Sequence, residues 1–372
     1  MSHGAFGLGI PEKIKKIEDD IHRTQVNKKT EHHIGLLKAK LAKLRREQEE
    51  SKSRGGGSSI GYDIKKSGDA TVVLIGLPSV GKSTLLNKVT NAKSKVAAYQ
   101  FTTLTVVPGA MEYRGARIQI LDLPGIIAGA SSGKGLGKRV LSVARSADLV
   151  LFIVDVFQPE AREVLKRELA SIGMRIDERP PNVIIEQTSS GGITVSPQVK
   201  MTRMSEELVK DILRAYDANS ARVVIREDIN DEQLVDVLLG NRVYVPSLTV
   251  MNKVDLVTPG FTNELALKLP YRFTPISAEG NVNLDLVKEE IYRKLDFIRI
   301  YMRPKGGETD FQEPMIVRNG SSVLDICNKV HRRIREDLRF AQIWGRSVKF
   351  GGQKVGITHR LMDEDVITLI TK

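Results

Sequence analysis

Lys82 and Ser83 close the octet Gly76-Leu77-Pro78-Ser79-Val80-Gly81-Lys82-Ser83, and Thr84 follows them into a helix-like run that reaches Val89. The spacing of two glycines around four residues, then Lys and a hydroxyl, suits the cradling of phosphate. Glycines let backbone N–H groups turn inward around phosphate oxygens, Lys82 neutralises charge on the β- and γ-phosphates, and Ser83 offers a hard oxygen to Mg²⁺. The motif requires a strand before it and a helix after it. The apolar run Thr71–Ile75 supplies the first, and the helix that follows, Thr84–Val89, points its positive end at the phosphates.

A second group closes the apolar run Val245–Met251 as Asn252-Lys253-Val254-Asp255. Ligands in open α/β sheets bind at the carboxyl ends of strands. A buried Asp255 carboxylate there would accept hydrogen bonds from both N1–H and the 2-amino group of guanine, a pair that adenine lacks. Asn252 is expected to fix the loop and reach the base. Between the two groups lies Ile118-Gln119-Ile120-Leu121-Asp122-Leu123-Pro124-Gly125. Asp122 would hold the metal through water, and the Gly125 N–H would reach a γ-phosphate. Phe101-Thr102-Thr103-Leu104 offers two hydroxyls where a γ-phosphate-sensing segment should stand. Ser277-Ala278, after the short run Phe273–Ile276, occupies the place of a base-contacting loop.

Taken in order, these residues resemble the developmentally regulated GTP-binding proteins, within the Obg–HflX-like GTPases of archaeal and eukaryotic type. The resemblance rests on Gly76–Ser83 with Pro78, on Tyr99–Leu104, on Asp122-Leu123-Pro124-Gly125-Ile126-Ile127, and on the glycine-rich Gly129–Lys138. Asn252–Asp255 and Tyr301-Met302-Arg303-Pro304-Lys305-Gly306 complete it. It implies a GTP- and GDP-binding enzyme that hydrolyses GTP slowly with Mg²⁺, held by Ser83, Thr103 and Asp122, and that works with ribosomes in translation. It also implies ribosomal RNA as a contact and a regulatory partner protein. Two positions depart from a Ras-like site. Ile126 stands after Gly125, where a water-orienting Gln is common, and Ile cannot hydrogen-bond a nucleophile, so intrinsic hydrolysis should be slow. Ser79 stands where many relatives carry an Asn that helps hold K⁺; its hydroxyl is also a hard oxygen, which leaves a potassium requirement open.

The elements that must position these residues form an α/β P-loop GTPase core, read over residues 64–298. Ahead of it, residues 1–53 read as a helical hairpin broken near Asn27–Thr30, and 54–63, with Gly55–Ser59, as a flexible linker. An α+β insertion interrupts the core at about 160–243. It holds a hairpin of Val183–Glu186 and Gly192–Val195 around Ser189-Ser190-Gly191, a helix Glu206–Tyr216, a strand Arg222–Arg226 and a helix Asp231–Leu239. In the resembling family such an insert is like a small ribosomal-protein fold; it could equally be surface elaboration. Residues 299–372 read as a ubiquitin-like β-grasp, the TGS domain, around one helix Val323–Leu338; Trp344 and the tract Gln353–Gly356 could meet RNA, with a core position the preferred reading for Trp344.

A formal net charge of +12 over 372 residues points to a polyanionic partner. Two segments concentrate it: Lys38, Lys40, Lys43, Arg45 and Arg46, and Lys329, Arg332, Arg333, Arg335 and Arg339. One cysteine, Cys327, allows no internal disulfide and reads as a core thiol in a reducing compartment. His22, His32 and His33 lack partners at metal spacing. With no secretory signal and no apolar stretch of membrane-spanning length, the expected setting is cytoplasmic. The reading is a molecular switch whose affinity for ribosomes follows its nucleotide. An RNA-associated scaffold with structural nucleotide and a GTPase of ribosome maturation are the alternatives.

Overall fold

A computed structural model describes residues 9–25, 30–54, 68–90, 107–122 and 146–371. The chain divides into two compact units, residues 62–177 with 245–372 and residues 1–61 with 178–244.

The first unit is built on a six-stranded sheet. The run Ala70–Ile75 is buried along its whole length, as its unbroken apolar sequence requires of a strand covered on both faces. It lies between the parallel strands Ala116–Asp122 and Leu149–Asp155; Ser247–Asn252 and then Thr274–Pro275 extend the sheet on the side of Leu149–Asp155. The opposite edge is Val107–Tyr113, antiparallel to Ala116–Asp122. These two strands are joined by Arg114 and Gly115 with φ of 50° and 82°, the paired left-handed geometry that tight hairpins use. Gly115 has a second reason: a Cβ there would lie 2.6 Å from Pro314 Cγ. Helix Lys82–Val89 seats Leu85, Leu86 and Val89 against the sheet, each leucine contributing about 1.5–3 kcal/mol by leaving water.

The C-terminal part of this unit is a five-stranded sheet in the order Met315–Arg318, Phe297–Met302, Asp365–Thr371, Leu338–Trp344, Gln353–Val355. Its central pair is parallel and the other pairs antiparallel, the arrangement of a β-grasp. Val323, Ile326 and Cys327 of helix Val323–Val330 fill its core. Burial pushes the Cys327 thiol pKa up, which keeps it protonated and inert. The expected single helix Val323–Leu338 is two, because His331 adopts extended backbone and its Nδ1 accepts from Arg333 N at 3.2 Å, starting a second helix Arg332–Asp337. Trp344 is half-buried rather than core: Arg303 stacks 4.9 Å from its ring and Gly351 and Gly352 pack against it. Ile316 and Phe297 join the same apolar cluster as Met111 and Ala116. Arg318 pairs with Asp148 at 2.5 Å and Lys329 with Asp69 at 2.9 Å, so the grasp domain is seated on the core by both apolar and ionic contacts.

In the second unit, Val183–Gln187 and Ile193–Pro197 do not form the expected hairpin. Strand Ala221–Ile225 lies between them, antiparallel to the first and parallel to the second. Inserting it hides Val223 and Ile225 completely, which a bare hairpin could not do. Helices Glu206–Ala215 and Asp231–Leu239 cover one face of this sheet. The long N-terminal helix Glu31–Arg54 packs on both, with Ala39 fully buried, so the hairpin is part of this unit rather than a free arm. Helix Ala161–Ser171, expected within the insertion, belongs to the first unit. No described helix is long and apolar enough to cross a membrane.

Candidate functional site

The first unit brings four loops together at the carboxyl ends of its parallel strands. The loop after Ala70–Ile75 carries Gly76–Gly81, in which Gly76 is pressed against strand Leu149–Asp155: a Cβ there would lie 2.4 Å from Ile153 O. Gly81 has φ 94° and leads into the helix. Leu77 is half-buried, Val80 buried, and Pro78 and Ser79 exposed, Ser79 with φ 63°. Lys82 Nζ donates to Gly76 O at 3.0 Å and Leu77 O at 2.8 Å. Burial pulls its pKa below the usual lysine value, against the opposing pull of Asp122. An ammonium so placed gains from any phosphate brought to the loop. Thr84 is half-buried in the first turn of the helix.

Ser83 Oγ donates to Asp122 Oδ2 at 3.0 Å. Asp122 is buried, and its Oδ1 has no hydrogen-bond partner among the described residues. An orphaned buried carboxylate oxygen beside a serine hydroxyl is a hard-oxygen donor set, and it fits Mg²⁺. Thr103, Leu123, Pro124, Gly125 and Ile126 lie outside the described residues, as do Thr102, Gly129–Lys138 and the Gly55–Ser59 linker.

Asn252 ties the site together. Its Nδ2 donates to Val80 O at 2.8 Å and its Oδ1 accepts from Ala278 N at 2.9 Å, which fastens the phosphate loop to the Ser277-Ala278 loop. These bonds use one of the two Nδ2 N–H donors and one of the two Oδ1 lone pairs, so the amide keeps a donor and an acceptor for a base. Ser277 is fully buried and its Oγ accepts from Gly280 N at 2.9 Å. Ala278 is buried with its N–H committed to Asn252. Val254 begins a single 3₁₀ turn to Leu256. Asp255 in that turn is exposed rather than buried, and its carboxylate has no described partner, leaving both oxygens open to a ligand. Lys253 pairs with Asp155 Oδ2 at 2.6 Å. Asp155 was not singled out in the sequence; the only signal was an acid ending a buried strand.

Three family models match the chain from residue 71 onward: "50S ribosome-binding GTPase" over residues 71–187, "C-terminal region of MMR_HSR1 domain" over 190–297 and "TGS domain" over 298–371. The chain is 52% identical over 369 residues to an uncharacterized GTP-binding protein of Methanocaldococcus jannaschii, covering 98% of this chain and 94% of that protein. It is 44% identical over 366 residues to developmentally-regulated GTP-binding protein 2 of Homo sapiens, covering 98% and 100%. Among solved structures it is similar to the Schizosaccharomyces pombe YchF GTPase, at 13% identity and a TM-score of 0.45, over 82% of this chain and 99% of that one. Another is Aquifex aeolicus Era bound to GDP and aluminium fluoride, at 19% identity and a TM-score of 0.35, over 74% and 72%.

Proposed function

The chain belongs to the developmentally regulated GTP-binding protein family of GTPases, and on that premise we propose that it is a Mg²⁺-dependent, slowly hydrolysing molecular switch that reports its nucleotide state to the ribosome. The observation that carries the site assignment is Asn252, whose two hydrogen bonds make the phosphate loop and the base loop one body.

In this reading Gly76–Gly81 wrap the phosphates with backbone N–H groups, and Lys82 exchanges two carbonyl acceptors for phosphate oxygens. Ser83 and Asp122, with Thr103, would hold a Mg²⁺ ion, which would supply charge neutralisation on the phosphates. Asp255 reads the guanine N1–H and 2-amino group. Thr103 and Gly125 sense the γ-phosphate, and Ile126, with no hydrogen-bonding atom, leaves the attacking water unoriented, which keeps the intrinsic rate low. Loss of the γ-phosphate releases the segments that sensed it, in a cytoplasmic cycle of ribosome binding and release. The ribosome-facing charge in this reading is the arginine cluster of the grasp domain, whose Arg333, Arg335 and Arg339 are exposed.

Calorimetry with GDP, ADP and XDP tests the site. Wild type should bind GDP and ignore ADP, Lys82→Ala should lose at least about a hundredfold in GDP affinity, and Asp255→Asn should turn preference toward XDP. Equal binding of ADP and GDP by wild type, or wild-type GDP affinity in Asp255→Asn, would sink the assignment.

A further inference from the structure

Lys253 sits inside the base-reading group, yet its backbone and its ammonium are both held by something outside that group. Its φ of 68° places a non-glycine residue in the left-handed region, which persists only where the surroundings fix it. On that backbone Val254 N donates to Ile276 O at 3.2 Å, and Asp155 holds the ammonium. It ends strand Leu149–Asp155 directly opposite Asn252 in the parallel register, and its side chain is only 13% exposed. Oδ1 accepts from Phe157 N at 2.9 Å, which locks the carboxylate in place. Oδ2 is then aimed at Lys253 Nζ, 2.6 Å away. A second backbone bond, from Val156 N to Asn252 O at 3.1 Å, keeps the two strand ends from sliding.

We infer that Asp155 is the positioning residue of the base site, holding Lys253 and the Val254–Leu256 turn in binding geometry before the nucleotide arrives. The inference rests on the proposal that Asn252–Asp255 read guanine. An unpinned lysine on a left-handed backbone has many rotamers, and ordering them would be charged against binding. With the ammonium tethered to Asp155, much of that rotamer freedom is already lost before binding. Asp155 touches no part of the ligand in this arrangement; it acts through Lys253.

A double-mutant cycle on the full chain separates the readings. GDP affinity is measured by calorimetry for wild type, Asp155→Asn, Lys253→Met and the double variant; Asn keeps an acceptor for Phe157 N and removes only the charge. Each single change should weaken GDP binding about tenfold, and the double variant should be within about twofold of Lys253→Met alone. Wild-type affinity in Asp155→Asn, or losses that multiply in the double variant, overturns the inference while leaving the base site intact. Wild-type affinity in Lys253→Met overturns the base-site reading itself. Should Asp155→Asn fold poorly, hydrogen exchange in nucleotide-free Lys253→Met decides instead. The Leu256 and Val257 amides, bonded to Lys253 O and Val254 O, should exchange at least about fivefold faster than in wild type, and an unchanged rate contradicts the tether.

Discussion

Two stretches of this chain look alike in sequence and differ in what their charges do. Among Lys38, Lys40, Lys43, Arg45 and Arg46, the first pairs with Asp231 and Glu232, the third with Asp217 and the Ala215 carbonyl, and the fourth with Glu18. Arg46 is also engaged, and Lys40 alone has no described partner. In the C-terminal cluster, Lys329 is taken by Asp69 and the Ile316 carbonyl. The side chains of Arg333, Arg335 and Arg339 stand exposed without a described partner. A phosphate approaching the N-terminal helix meets ammonium groups already paired with carboxylates; near the arginines Glu336 and Asp337 are also exposed, but no described ion pair ties them to Arg333, Arg335 or Arg339. Density of basic residues therefore says little until their partners are known.

The largest effect that follows is on polyanion binding. Replacing Arg333, Arg335 and Arg339 with Gln should lower affinity for ribosomes or ribosomal RNA by more than about tenfold at low salt. It should also reduce the slope of log affinity against log salt by about two to three, since each lost phosphate contact releases one fewer counterion. Salt-titrated pelleting measures both. An unchanged slope would mean that these arginines, for all their exposure, contact no phosphate, and the contrast between the two regions would have no functional meaning.

What could be read from the sequence follows from distance along the chain. The strand ending at Ile75, the helix reaching Val89 and the strand running into Asn252 are local patterns, and the chain forms all three. The position of Ala221–Ile225 between Val183–Gln187 and Ile193–Pro197 is a long-range pairing, and nothing in the apolar alternation of the three segments ranks one order over another. The break at His331 carries no Gly or Pro to announce it. The ion pairs of Lys38 and Lys43 join residues far apart in sequence, as does Asp155 with Lys253. Motif recognition locates the residues that meet the ligand; it is blind to the side chains that hold them.

A second prediction addresses what the N-terminal helix does if it does not bind RNA. Ala39 is fully buried against the insertion's helices, so Ala39→Leu should overpack that contact at about 1–3 kcal/mol. Limited proteolysis should then cut within residues 178–244 faster than in wild type, while ribosome affinity below the unfolding range stays within about twofold. If affinity fell with the wild-type cleavage rate retained, the helix surface would be an interaction element after all.

The smallest effect tests the pairing directly. Burial alone would lower the Lys38 pKa, but Asp231 and Glu232 outweigh it and the net direction is upward from 10.5. A lysine whose folded pKa exceeds its unfolded value adds stability that is fully present below the unfolded pKa and disappears as pH rises through the folded one. The Lys38 side chain is 41% exposed, so solvent screening limits the pair to about 0.5 kcal/mol. Lys38→Gln should therefore raise the exchange rate of the Leu208–Leu213 amides about twofold near neutral pH, and the gap from wild type should close above the lysine range. A gap that persists there would assign the effect to lost packing of the lysine stem rather than to its charge. No gap at neutral pH would place Lys38 with Lys40 as a free cation and erase much of the difference between the two basic regions.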